Sequence, residues 1–134
     1  MTARRAFTVL ELLVAMAILV VLMATCLKWF TATASQRRAA QWRQTALREA
    51  ANQMERLAAQ SWEELSSERA AKLVLSEEAR QVLPEAALAI QVTRPADQPD
   101  AKQLAVTVRW RPRPETPEAQ VRLVAWRFRK KTGS

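Results

Sequence analysis

Histidine is absent from this 134-residue chain, cysteine occurs once, at Cys26, and glycine once, at Gly133. A lone cysteine closes no internal disulfide, and without histidine neither a four-thiolate nor a Cys/His metal site can be assembled. Nucleophilic catalysis of the Cys–His or Ser–His kind is excluded with it. A Ser–Lys or paired-carboxylate enzyme survives this filter, but no residue pattern points to one. The missing glycines remove the phosphate-cradling loops of the common nucleotide-binding enzymes. Proline is missing before Pro84, so more than half of the chain contains neither of the two strong helix breakers.

What is present starts with "RRAFTVLELLVAMAILVVLM". Phe7 to Leu27 is 21 residues with one charge, Glu11. A helix needs about 20 apolar residues to cross a hydrocarbon core, so the stretch predicts a transmembrane segment. Lys28 closes it, and Trp29 and Phe30 follow as interface anchors. Arg4 and Arg5 precede it, and the positive-inside tendency puts that end in the cytoplasm. Lys28, Arg37 and Arg38 on the other flank act against that orientation. After a membrane segment roughly 100 residues remain, room for one modest core.

The following stretch, "SQRRAAQWRQTALREAANQMERLAAQSWEEL", is rich in good helix formers. Leu47, Ala50 or Ala51, Met54, Leu57, Ala58, Trp62 and Leu65 recur at three- and four-residue steps and predict one apolar stripe. Trp29, five turns before Leu47, falls on that stripe. Trp42 falls about 140° away from Leu47 at about 100° per residue and stays off it. Met54, Leu57 and Trp62 are the expected buried members. With no breaker between the two stretches, one helix is expected from about Phe7 to Gln60, roughly 80 Å long at about 1.5 Å per residue.

"LSEEARQVLP" predicts a short helix with Ser76 as N-cap and Pro84 as stop. Thereafter the apolar period drops to 2. Leu88, Ile90 and Val92 share one side of "ALAIQVT". Leu104, Val106, Val108 and Trp110 share one side of "QLAVTVRW". "QVRLVAWRF" can bury either Val121, Leu123 and Ala125 or Val124, Trp126 and Phe128. The linkers "RPADQPD" and "RPRPETPEA" read as turns, which predicts three antiparallel strands. The fold class is α+β: a long N-terminal helix, transmembrane in its first half and amphipathic in its second, packed on a small three-stranded antiparallel sheet. The expected segments are 1–6, a cytoplasmic leader; 7–28, the transmembrane half; 29–62, the amphipathic half; and 63–134, a short helical segment and the sheet.

An ionisable group inside a membrane segment costs several kcal/mol unless it is paired. Glu11 lies four residues into the apolar run, where it can snorkel to the headgroups or meet a partner charge. Basic residues, a small residue and then "FTVLELLVAMAIL" resemble the N-terminal signature of type IV prepilins and type II secretion pseudopilins. The resemblance implies that a prepilin peptidase cuts between Ala6 and Phe7 and methylates the new amine. The family normally has glycine before the cut, where this chain has Ala6. It implies that Arg4 and Arg5 belong to the leader and that Glu11, fifth residue of the mature chain, is the assembly residue. Glu11 would meet the N-terminal ammonium of a neighbouring subunit, because opposite charges attract strongly at low effective dielectric and either alone is penalised.

The implied fold is the one read from periodicity. "ALREAANQMERLAAQSWEEL", with "VTVRW" later, is similar to minor subunits of the pseudopilin I or PilV kind. That similarity implies a place near the tip of a short pseudopilus. The implied partners are the peptidase, other pilin or pseudopilin subunits, the inner-membrane assembly platform and inner-membrane lipid. The head would lie in the periplasm. No enzyme activity, metal or cofactor is expected.

Two other readings have support in the residues. "LMATC" ending at Cys26 resembles a lipoprotein signal, although Thr25 and the intramembrane Glu11 fit it poorly. A basic C-terminal third, with Arg109, Arg111, Arg113, Arg127, Arg129, Lys130 and Lys131 interleaved with Trp110, Trp126 and Phe128, could contact DNA, as minor pilins of DNA-uptake systems do, or an acidic partner. The net charge of +8, from 21 basic and 13 acidic residues, suits nucleic acid, anionic lipid or an acidic protein, and equally a solvated basic face. Asp97 and Asp100 are too few to complete a calcium shell and read as turn residues.

Overall fold

The computed structural model describes residues 8–130. The chain divides into two compact units, residues 1–38 and 39–134. Helix α1 (Val9–Ala58) enters both. In the first unit every described residue is exposed, including Leu10, Leu13, Ile18, Leu22 and Phe30. A helix that is apolar all round and has no protein partner is suited to lipid, and this segment is long and apolar enough to cross a membrane. Its hydroxyls are satisfied internally: Thr25 Oγ1 donates to Val21 O at 2.7 Å and Thr33 Oγ1 to Trp29 O at 2.9 Å. Such back-bonding lets a polar side chain sit in a helix without needing water.

In the second unit α1 buries Ala46, Glu49, Ala50, Gln53 and Leu57. These also recur at three- and four-residue steps, but their face is turned roughly 90° from the expected stripe. Leu47 is 40% exposed and Ala58 is exposed, whereas Trp42, expected off the stripe, is partly buried against the core. Trp29 is 73% exposed and takes no part. The reason is chemical. Two polar residues, Glu49 and Gln53, occupy the centre of the buried face, and a count of apolar positions passes over them. Of the expected core members, Leu57 is fully buried, while Met54 and Trp62 are partly buried. The helix ends at Ala58, so Leu65 reaches the core from the turn that follows, and the partly buried Trp62 lies beneath Lys102 instead.

Two short helices come next. The first, α2 (Ser67–Ala70), was not anticipated; Ser66 caps it, its hydroxyl accepting from Arg69 N–H at 3.3 Å. The second, α3 (Glu77–Val82), has Ser76 as its N-cap as expected, accepting from Ala79 N–H at 3.2 Å. Just after Pro84 the backbone turns through Glu85, at φ 49°. This left-handed conformation usually belongs to glycine, which this chain uses only at Gly133.

Strands β1 (Ala87–Thr93), β2 (Ala101–Trp110) and β3 (Ala119–Phe128) form an antiparallel meander in the order β1-β2-β3. The core-facing rows are Leu88, Ile90 and Val92 on β1, Leu104, Val106, Val108 and Trp110 on β2, and Val121 and Leu123 on β3. The last strand thus buries its Val121 face and leaves Val124, Trp126 and Phe128 47, 48 and 64% exposed. Leu57, Leu104, Val106 and Val108 are fully buried, and burial of each such side chain is worth about 1.5–3 kcal/mol.

Candidate assembly site and head surface

Glu11 lies in the first turn of α1 and is exposed. Its backbone N–H donates to Thr8 Oγ1 at 3.3 Å, and Leu12 N–H donates to Thr8 O at 3.2 Å. Thr8 therefore caps the helix, and "TVLE" has the spacing of a capping box, with an acid at its third helical position. A carboxylate there is also favoured by the helix dipole. Reading Glu11 only as an acid in an apolar run missed this local role, which the Thr8–Glu11 spacing carries. Arg4, Arg5, Ala6 and Phe7, the expected leader residues and scissile bond, lie outside the described residues, as does Lys131.

In the head, the buried Glu49 carboxylate holds α3 against α1. It accepts from Ser76 Oγ at 2.7 Å, Ser76 N–H at 3.0 Å and Gln53 Nε2 at 2.8 Å, and Gln53 Nε2 also donates to Val74 O at 3.1 Å. Burial pushes the Glu49 carboxyl up, but the hydrogen bonds from Gln53 and Ser76, with the charge of Arg56, outweigh it and hold the group below its ordinary 4.5.

Two cations close the other end of the packing. Lys102 and Arg127 are cross-strand partners, and both donate to carbonyl oxygens at and just after the C-terminus of α1. Arg127 donates to Ala58 O and, at 3.4 Å, to Gln60 O. Lys102 Nζ donates to Trp62 O at 2.6 Å and Leu65 O at 2.8 Å, and stands 4.6 Å above the Trp62 ring. The last carbonyls of a helix lack intrahelical partners and carry the negative end of its dipole. With no glycine there for a C-terminal cap, the sheet supplies Arg127 to the end of α1 and Lys102 to the turn that follows it.

The other expected contact residues have different partners. Arg109 faces Glu118 at 3.8 Å and Arg111 faces Glu85 at 3.7 Å. Arg113 and Lys130 are exposed, and Arg129, also exposed, donates its backbone N–H to Asp100 O at 2.8 Å. Of the expected contact residues, Arg109 and Arg111 thus face carboxylates and Arg127 faces the end of α1, while Arg113, Arg129 and Lys130 are exposed. Among the described residues no three of His, Cys, Asp and Glu come together as a possible metal shell.

Residues 1–27 match the family model described as the prokaryotic N-terminal methylation motif. The chain carries the type IV pilin and pseudopilin signature. No curated protein and no solved structure matches it. The pilin signature marks a structural subunit and a substrate of prepilin peptidase. Together with the apolar helix it fits a protein anchored in the inner membrane by a single pass. The same motif supports assembly with other pilin-like subunits. Of the matched residues 1–27 the structure describes 8–27, with Thr8 and Glu11 at the first turn of the apolar helix.

Proposed function

We propose that this chain is a minor pilin or pseudopilin. Prepilin peptidase cuts between Ala6 and Phe7 and methylates the Phe7 amine, and the mature chain joins a type II secretion pseudopilus or a type IV pilus near its tip. Arg4 and Arg5 keep the leader cytoplasmic, and the 39–130 head works in the periplasm. The observation that carries this reading is the methylation motif at residues 1–27 at the head of a long helix whose second half packs on a three-stranded sheet. Glu11 carries the assembly chemistry. In a medium of low effective dielectric, its carboxylate and the ammonium of a neighbouring subunit attract, and either left alone is penalised. The pairing therefore sets register between subunits more than it adds stability.

The test uses the native host with and without its prepilin peptidase, followed by isolation of sheared filaments. The wild-type chain is expected in the filament fraction only when the peptidase is present. A Glu11→Ala chain should insert and be cut, yet fall at least about tenfold in that fraction, the loss expected when a close charge pair is broken. Peptidase-independent behaviour would overturn the pilin reading. Normal incorporation of Glu11→Ala would remove the role given to Glu11.

A further inference from the structure

The two edges of the sheet differ. The free edge of β1 meets α2, where Ser67 Oγ donates to Val92 O at 3.1 Å. On the free edge of β3, among the described residues, 119–128 make no backbone hydrogen bond except to β2. An unpaired ten-residue edge is a template for another strand, and this one is not plain. Its outward row reads Arg122, Val124, Trp126 and Phe128, with Lys130 just beyond the strand. The β2 residues beside the two central members of the row and Phe128 are Ala105, Gln103 and Ala101, so the large side chains stand above a low shelf. The shelf ends in a shallow cleft of about 310 Å³ between Phe128 and the Gln98–Asp100 turn. Among the described residues, Arg122, Arg129 and Lys130 have no carboxylate within ion-pair distance, unlike Arg109 and Arg111.

We infer that β3 receives a fourth strand from another protein, an extended segment whose outward row is acidic at both ends and apolar between, opposite Arg122, the Val124–Trp126–Phe128 row and Lys130. Main-chain hydrogen bonds to the open edge give the affinity, and the alternating side chains give the choice of partner. The inference stands on the sheet alone and does not need the filament. A second copy suits the edge poorly. Antiparallel pairing of two β3 strands centred on Trp126 would set Arg122 of each copy against Lys130 of the other, like charges directly opposite. Nucleic acid suits it poorly as well, because Arg109 and Arg111 are ion-paired and Arg127 is turned inward onto the end of α1.

The test is hydrogen exchange on the full chain in detergent micelles with three probes: a ten-residue peptide, Glu-Thr-Val-Thr-Val-Thr-Val-Thr-Glu-Thr, one face of which is acidic at both ends and apolar between, its Lys-for-Glu counterpart, and a single-stranded oligonucleotide. The Glu peptide should slow exchange in 119–128 and leave 87–93 unchanged. An Arg122→Glu/Lys130→Glu chain should lose that protection by about tenfold in peptide concentration and gain it with the Lys peptide, as like-charge juxtaposition selects against the wrong partner. Both positions are exposed, so the fold should survive the exchange of charge. Equal protection by both peptides, or by neither, would overturn the inference and leave Arg122 and Lys130 as guards of a bare edge. Protection by the oligonucleotide alone would overturn it in favour of nucleic acid.

Discussion

Replacing Glu49 by alanine tests whether α1 is locked to the head by a polar centre rather than by an apolar stripe. Glu49 is 4% exposed and accepts three hydrogen bonds. Without it, Gln53 Nε2 keeps Val74 O, but the Ser76 N–H and hydroxyl lose their acceptor. Hydrogen bonds to a charged group are worth about 1.5–3 kcal/mol each, and a buried donor left without a partner costs about as much. Ser76 is only partly buried, so water recovers some of the loss, and the net cost comes to roughly 3 kcal/mol. For a head of this size that lowers Tm by about 12–24 °C. The control is Leu47→Ala. Leu47 belongs to the stripe the apolar pattern favours, but it is 40% exposed, and truncating it should cost only about 0.5–1 kcal/mol. Near-UV circular dichroism of the full chain in detergent follows unfolding of the head, because Trp110 is buried there. Equal losses from Leu47→Ala and Glu49→Ala, or a Glu49→Ala shift under about 3 °C, would refute the assignment of the buried face. Glu49 has its pKa held below 4.5. Its stabilising contribution is complete above that value and is lost as pH falls through the depressed folded pKa. Glu49→Gln should therefore flatten the acid limb of the stability profile.

Lys102→Met keeps the side-chain stem but loses two carbonyl hydrogen bonds and the contact over Trp62; denaturant titration should show a loss of about 1–2 kcal/mol. Burial, with repulsion from Arg94 and Arg129 and opposed by Glu63, lowers the Lys102 pKa from 10.5. This group therefore contributes rising stability as pH climbs from its folded pKa toward 10.5, and Lys102→Met should remove that slope. Trp110→Ala, at 4% exposure, should cost about 3–5 kcal/mol, whereas Trp126→Ala, at 48%, should cost about 0.5 kcal/mol or less; equal melting shifts would contradict the facing of β2 and β3.

The parts of this fold visible in the residues are those written in apolar periodicity. The long breaker-free helix, the Ser76 cap and the three strands follow from spacing alone, and their observed bounds differ from the expected ones by a few residues. The face that α1 buries could not be read that way. Glu49 and Gln53 earn burial only because Ser76 and Val74, more than 20 residues away in sequence, supply their partners. Likewise, Lys102 and Arg127 read as surface charge until the sheet folds back onto the end of α1. The choice of face for β3 was open in the sequence because both rows are apolar. The buried row ends inward at Arg127, whose guanidinium meets the carbonyls after Ala58.

The central claim is that the chain is processed as a prepilin, and the mature N-terminus tests it most directly. Intact-mass and N-terminal peptide mass spectrometry of the protein from its native membrane should find a chain beginning at N-methylated Phe7. A chain beginning at Met1, or at a lipid-modified Cys26, would contradict the account.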